Sequence, residues 1–137
     1  MTIEYLPHTA DIRMKIGGSS VEELFQAGVI GMGNILKEGF CDKNKSSNIK
    51  SKIEIVALDQ TCLLIDLLSE VLSTSYSEKS IFCKVLFTKF TRTKAVVEIY
   101  GTRVEGFNEE IKAVTYHEAN VHKDNHGNWE TLVIFDI

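Results

Sequence analysis

The chain has 137 residues, of which 44% are hydrophobic and 25% are charged. These proportions are typical of a soluble globular protein, and they exclude an intrinsically disordered, collagen-like or low-complexity chain. The length favours a single domain over residues 1–137, because two equal halves would each bury too little surface to be stable. The net charge of −4 argues against a protein that depends on a strong positive field to bind nucleic acid.

The cysteines and the apolar segments predict where the protein resides. Cys41, Cys62 and Cys83 form no CxxC pair and are odd in number. That pattern favours a reducing compartment over the disulfide framework of a small secreted domain. The N-terminus does not resemble a signal peptide, and the longest apolar runs are much shorter than a membrane span. We therefore expect a cytoplasmic protein without a membrane partner.

The first half of the chain alternates between strand and helix patterns. Its predicted elements are a strand Asp11–Ile16, a helix Ser20–Leu36, a polar loop Lys37–Ser47, a strand Ile49–Leu58 and a helix Gln60–Tyr76. Ser20 and Glu23 form a capping-box pattern at the start of the first helix, and Asp59 is the expected N-cap of the second. The second helix is apolar on most of its surface, which predicts that it is largely buried.

The second half of the chain has the period of two that is typical of strands. The predicted elements are a strand from Ile81, a turn at Thr93–Lys94, strands Ala95–Val104 and Ile111–Lys123, a turn at Asp124–Asn128 and a closing strand Trp129–Ile137. Consecutive strands joined by short turns pair antiparallel. The sequence therefore predicts an α+β fold in which mostly antiparallel sheets pack with two main helices.

Acidic groups near both ends of the chain suggest a metal site. Asp11 begins the first predicted strand, and Asp136 with the main-chain carboxylate of Ile137 ends the last one. Carboxylates held close together are costly unless a cation lies between them, and three of them suit Ca²⁺, Mg²⁺ or Mn²⁺. Periodicity alone does not place Asp11 near Asp136. The alternative is that Asp11 caps a turn and Asp136 is a solvated edge residue.

Other groups of polar residues have simpler interpretations. His117 and His122 would point to opposite faces of one strand, which argues against a shared zinc ion. Asp66 and Glu70 lie four residues apart on a helix and are either an acid/base pair or a hydrated face. The lysines between residues 37 and 52 have only Phe40 as an aromatic neighbour, so a solvated loop is preferred to an RNA-stacking platform. The chain contains no P-loop, GxGxxG, GxSxG or HExxH motif.

Three short segments in order resemble the archease family: His8–Asp11 (HTAD), Ile111–His117 (IKAVTYH) and Val133–Ile137 (VIFDI). The resemblance extends over essentially the whole chain, and the helix Leu63–Leu72, which contains Glu70, is similar to the second helix of the family. It implies a small α+β protein that is not itself an enzyme. Instead it implies an activator or chaperone of the GTP-dependent RNA ligase of tRNA splicing and RNA repair, promoting guanylylation of the ligase's active-site histidine and multiple turnover.

The resemblance also implies a bound divalent cation, with Ca²⁺ preferred and Mg²⁺ or Mn²⁺ as alternatives. Its ligands would be Asp11, Asp136 and the main-chain carboxylate of Ile137. Residues expected beside this site or facing the ligase are His8, Glu70, Lys112, Tyr116 and His117. The expected partner is the ligase, without strong direct binding of nucleic acid.

The chain departs from the family pattern between Gly101 and Ile111, where a stretch containing His and Pro is missing. Two other functions stay open at this point. One is a small metal-dependent hydrolase in which the same carboxylates activate water. The other is a general chaperone or binding module with no metal.

Overall fold

The computed structural model describes residues 1–7, 10–44 and 47–137. Within these ranges the elements are β1 Thr2–Leu6, β2 Asp11–Gly18, α1 Val21–Leu36, α2 Phe40–Lys43, β3 Ile49–Val56, α3 Gln60–Glu78, β4 Ser80–Phe90, β5 Lys94–Arg103, β6 Ala113–Thr115, β7 His122–Lys123 and β8 Trp129–Asp136. All strand pairings among them are antiparallel. The predicted α+β class is confirmed.

The strands form two sheets. The first has the order β1-β2-β8-β6, with β7 also paired to β8, and the second has the order β3-β5-β4. The first sheet therefore joins both ends of the chain, because β8 pairs along its whole length with β2. This pairing is the feature of the fold that positions the candidate site.

Both long helices begin at the predicted caps. The Ser20 hydroxyl accepts the Glu23 N–H at 3.1 Å, and the Asp59 carboxylate accepts the Cys62 N–H at 2.8 Å. The second bond favours the charged carboxylate and therefore lowers the pKa of Asp59. The capping box is only half formed, because the Glu23 carboxylate binds the Ser19 hydroxyl and the N-terminal amine instead.

The core lies among the helices and the inner faces of the two sheets. Helices α1 and α3 each contact strands of both sheets. Helix α3 buries Leu63, Leu64, Ile65, Leu67, Leu68, Val71 and Leu72, as the apolar pattern predicted. The rings of Phe25, Phe87 and Phe90 form an aromatic cluster, with centroids 4.9 Å apart for Phe87 and Phe90. No helix in the described part of the chain is both long and apolar enough to cross a membrane.

A disulfide joins α2 to β4, although the odd number of cysteines and the lack of a CxxC pair favoured a reducing compartment. Cys41 and Cys83 are bonded, with their Cα atoms 5.4 Å apart, and Cys62 is free. A Cβ atom at Gly33 would lie 2.8 Å from the Cys41 sulfur, so this glycine leaves room for the bridge. The odd number of cysteines is explained by one bridge and one thiol.

Several predicted elements need correction. Strand β1 was missed because it is a short edge strand with exposed side chains at most positions, so it has no clear alternation. The loop predicted over Lys37–Ser47 contains the short helix α2. Its N-cap residue, Gly39, has a left-handed backbone conformation with φ 67°. Helix α3 continues beyond Tyr76 to Glu78, and β3 ends at Val56, before Leu58.

The segment predicted as one extended strand, Ile111–Lys123, forms only the short strands β6 and β7. Glu118 has a positive φ of 58°, which turns the backbone away from the β8 ladder. Composition rich in β-branched and aromatic residues indicated a strand there, but the turn interrupts the pairing.

Candidate metal centre and acidic cleft

Asp11 and Asp136 lie directly opposite each other at the end of the β2–β8 ladder. Opposite residues of an antiparallel pair point to the same face of the sheet, with Cβ atoms roughly 4.5–5.5 Å apart. The adjacent pair, Ile12 and Phe135, packs on the core, so the two carboxylates lie on the other face. One oxygen of Asp11 is buried, whereas Asp136 is exposed. The structure therefore brings together the two side chains whose proximity the sequence left open.

Strand β6 closes the same end from the other side of β8. Ala113 is the cross-strand partner of Asp136, and the Lys112 N–H donates to the Asp136 main-chain oxygen at 2.7 Å. The segment before β6 is anchored to α3 by Tyr76, whose hydroxyl donates to the Ile111 carbonyl at 2.7 Å and accepts the Ile111 N–H at 2.8 Å. The end of β8 is thus held from two strands and indirectly from a helix.

A cleft of about 690 Å³ opens beside Asp11. Its lining includes four carboxylates, those of Asp11, Glu38, Asp42 and Glu109. No Lys, Arg or His of the described chain contributes to this lining. The Tyr5 hydroxyl, which also lines the cleft, donates to a carbonyl of α1 at 2.8 Å. Partial burial and, to a smaller extent, the charge of Asp42 raise the pKa of Tyr5 to about 12. We call this feature the acidic cleft.

The donor set at the end of β2 and β8 fits a hard divalent cation. Like charges placed directly opposite each other destabilise a sheet, and a cation between Asp11 and Asp136 would remove that repulsion. None of the ion pairs between described residues includes Asp136. Across residues 1–7, 10–44 and 47–137, no three His, Cys, Asp or Glu side chains are grouped to hold a metal ion. A site here needs a donor beyond side chains, and Ile137, the residue next to Asp136, packs partly buried on the core.

Of the accompanying residues that the resemblance suggested, Lys112 is the one joined to Asp136, through its backbone. His8 lies outside the described residues. His117 is exposed, with its Nε2 atom 3.8 Å from the Glu118 carboxylate.

Tyr116 contacts helix α3. Its hydroxyl donates a short hydrogen bond to the Asp66 carboxylate, and this bond is the main reason that the pKa of Tyr116 is raised to about 12. Glu70 lies one turn further along α3, and its main-chain oxygen accepts the Thr74 hydroxyl. The Asp66 carboxylate is therefore hydrogen-bonded to Tyr116, whereas the spacing in the sequence suggested either an acid/base pair with Glu70 or a hydrated face.

Sequence reasoning missed three of the four acidic residues of the cleft, Glu38, Asp42 and Glu109. They come from separate segments around α2 and before β6. The N–H groups of Asn108 and Glu109 donate to the Leu36 carbonyl at 2.8 and 3.4 Å, which places the later segment on the end of α1. The excess of acidic residues was the only signal in the sequence, and it does not indicate which of them meet.

The model of the Archease protein family (MTH1598/TM1083) matches residues 3–137. The chain belongs to the archease family. Protein archease from Methanosarcina mazei is 30% identical over 142 residues, which cover 98% of this chain and 94% of that protein. Protein archease-like from Drosophila melanogaster is 30% identical over 148 residues, covering 100% of this chain and 91% of that protein. The family resemblance seen in the sequence is confirmed.

Two solved structures share the fold of this archease-family chain. Protein 1598 from Methanobacterium thermoautotrophicum aligns with a TM-score of 0.79 and 24% identity, over 98% of each chain. An archease from Thermotoga maritima, described as a possible chaperone, aligns with a TM-score of 0.63 and 24% identity, over 100% of this chain and 98% of that one. The predicted antiparallel sheets with two main helices are thus also the architecture of known archease structures.

Proposed function

We propose that this protein activates a GTP-dependent RNA-splicing ligase in tRNA splicing and RNA repair. In this proposal it binds the ligase, promotes guanylylation of the active-site histidine and supports multiple turnover, and it is not an enzyme by itself. Asp11, Asp136 and the main-chain carboxylate of Ile137 would hold a divalent cation, with Ca²⁺ as the first candidate. The observation that carries the proposal is the direct cross-strand pairing of Asp11 with Asp136 in a member of the archease family.

A cation bound there would supply a concentrated positive charge at an otherwise acidic tip. The protein's own contribution is to hold the two carboxylates on one face of a rigid sheet. Strand β8 fixes Asp136 through pairs on both sides, since β2 and β6 flank it. A site on paired strands keeps its donors in place better than a site on a loop. This fixed placement allows a partner protein to bind the site in one orientation.

Activation requires a difference in affinity between two conformations of the ligase. A protein that binds the guanylylation-competent conformation tenfold more tightly than the inactive one shifts the equilibrium tenfold, which corresponds to about 1.4 kcal/mol. Equal affinity for both conformations would shift nothing, however tight the complex. The proposal therefore predicts tighter binding to ligase with bound GTP than to ligase alone.

The proposal is tested by transfer of labelled guanylate from GTP to the purified ligase of the same organism. We expect that addition of the protein at the ligase's concentration raises the guanylylated fraction and allows more than one ligation per ligase molecule. No increase in either quantity would contradict the proposal. A parallel incubation of RNA with the protein and divalent cation but no ligase tests the hydrolase alternative, which predicts cleavage of the RNA.

The role of Ile137 is tested by adding a short Gly-Ser segment after it. This change keeps every side chain but moves the terminal carboxylate away from Asp136. We expect loss of ligase stimulation with an unchanged circular dichroism spectrum. The same segment added before Met1 serves as the control, and equal stimulation by both extended chains would rule out the terminal carboxylate as a ligand.

A further inference from the structure

The charges of this protein are divided unevenly between the three-stranded sheet and the rest of the chain. Residues 49–56 and 80–103, which form β3, β4, β5 and the β4–β5 turn, contain seven of the fifteen Lys and Arg residues but only two of the nineteen Asp and Glu residues. The total net charge of −4 conceals this division. The remainder of the chain is strongly acidic, and the sheet is strongly basic.

Much of this positive charge lies on the outer face of the sheet, away from the core. The register places five lysines on this face, Lys50, Lys52, Lys84, Lys89 and Lys94, together with the two glutamates Glu54 and Glu98. Lys50 pairs with Glu98 at 3.0 Å and Lys94 pairs with Glu54 at 3.8 Å. None of the ion pairs between described residues includes the other three lysines. The face therefore keeps a net positive charge in the folded protein.

One aromatic ring occupies the middle of this face. Tyr100 is the cross-strand partner of Lys50 on β3 and of Lys84 on β4, so the three side chains form one row across the sheet. The Nζ atoms of Lys50 and Lys84 lie 5.9 and 5.4 Å from the centre of the Tyr100 ring. The adjacent row contains Leu86, which is 46% exposed. We call the outer side chains of these strands the Tyr100 face.

We propose that the Tyr100 face binds single-stranded nucleic acid. An aromatic ring on a sheet face offers a stacking surface for any base. The Lys50 and Lys84 side chains lie over the Tyr100 ring, and on binding they would move aside to neutralise the phosphates that flank the stacked base. An acidic protein segment would use the lysines equally well but would gain nothing specific from the ring. The position of Tyr100 between two lysines therefore favours a nucleic acid over an acidic peptide. This inference does not depend on the proposed activation of a ligase, because it concerns a different sheet and other residues.

The test is fluorescence anisotropy with a labelled oligouridylate of about 12 nucleotides, a length within the site size of small single-strand-binding domains. If two to four phosphates are neutralised, a plot of log affinity against log salt concentration has a slope of roughly −1.4 to −2.8. Tyr100→Leu is expected to weaken binding at least about fivefold, whereas Tyr100→Phe retains the ring and most of the affinity. Lys84→Gln should weaken binding and make the slope shallower by about 0.7.

Lys123→Gln is the matched control, since the Lys123 Nζ atom lies 5.3 Å from the ring centre of Trp129 on the other sheet. It removes a lysine from a similar lysine–aromatic pair and should leave binding unchanged. A thermal melt of each variant establishes that it is folded before binding is measured. Absence of binding at low salt would overturn the proposal. It would also be overturned if oligoglutamate competed as well as oligouridylate while Tyr100→Leu had no effect, because the face would then be a site for acidic protein segments.

Discussion

Replacing Asp136 with Asn should change the stability of the protein in opposite directions with and without Ca²⁺. The substitution keeps the shape of an exposed side chain and removes one of two like charges that face each other across β2 and β8. At a separation of about 5 Å, the repulsion is about 0.8 kcal/mol in a dielectric of 80 and about 3 kcal/mol in a dielectric of 20. Because Asp136 is exposed, the lower value is the better estimate. In EDTA we therefore expect Asp136→Asn to be more stable than the wild type by about 1 kcal/mol.

With Ca²⁺ the order reverses. A site with a dissociation constant of about 0.1 mM gains about 2.7 kcal/mol at about 10 mM Ca²⁺, provided that the unfolded chain does not bind the ion. The wild type should gain this amount and the variant should gain little. For a chain of this length, 1 kcal/mol corresponds to a Tm change of about 4 °C, which is easily measured by circular dichroism.

A double-mutant cycle with Asp11→Asn isolates the interaction of the two carboxylates. In EDTA the double variant should gain less stability than the sum of the gains of the two single variants, since either substitution alone already removes the repulsion. The reasoning would be refuted if Asp136→Asn destabilised the protein in EDTA, or if Ca²⁺ stabilised the variant as much as the wild type.

Three further predictions concern the supports of the fold. Tyr76→Phe removes the hydroxyl that is hydrogen-bonded to both the carbonyl and the N–H of the buried Ile111. The free energy of unfolding, measured by urea denaturation, should fall by about 2 kcal/mol, and an unchanged value would show that water replaces the hydroxyl. Reducing the Cys41–Cys83 bridge, whose residues are 42 positions apart, should lower the free energy of unfolding by up to about 4 kcal/mol. Thiol titration in denaturant should find one thiol before reduction and three after it, and three thiols before reduction would contradict the bridge. Gly101→Ala should destabilise by about 2 kcal/mol because its Cβ would lie 2.4 Å from a β4 carbonyl oxygen, and a thermal melt equal to the wild type would contradict that packing.

The helices and the longer strands could be predicted because their signals are local. Ser20 and Asp59 act as caps within a few residues of their own positions, and the buried stripe of α3 repeats with the helical period. Strand β1 and helix α2 could not be predicted in this way. An edge strand with little burial has no alternation, and a helix of four residues has almost no period to detect.

The candidate site was partly predictable for a different reason. Asp11 and Asp136 stood out in the sequence, but their meeting depends on the pairing of the first long strand with the last one, which is a property of topology. The acidic cleft and the Tyr100 face each draw residues from several separated segments. Composition averages over these segments, so a net charge of −4 indicated neither the acidic cleft nor the basic sheet face.

The central claim is that the paired carboxylates at the end of β2 and β8 are needed to activate the ligase. Its most direct test is the guanylylated fraction of the ligase, measured with wild-type protein, with Asp11→Asn and with Asp136→Asn. Glu54→Gln is the matched control, because it removes an exposed carboxylate from the other sheet. The account predicts stimulation by the wild type and by Glu54→Gln, and loss of stimulation in both Asp variants although they remain folded. Full stimulation by the Asp variants would contradict it.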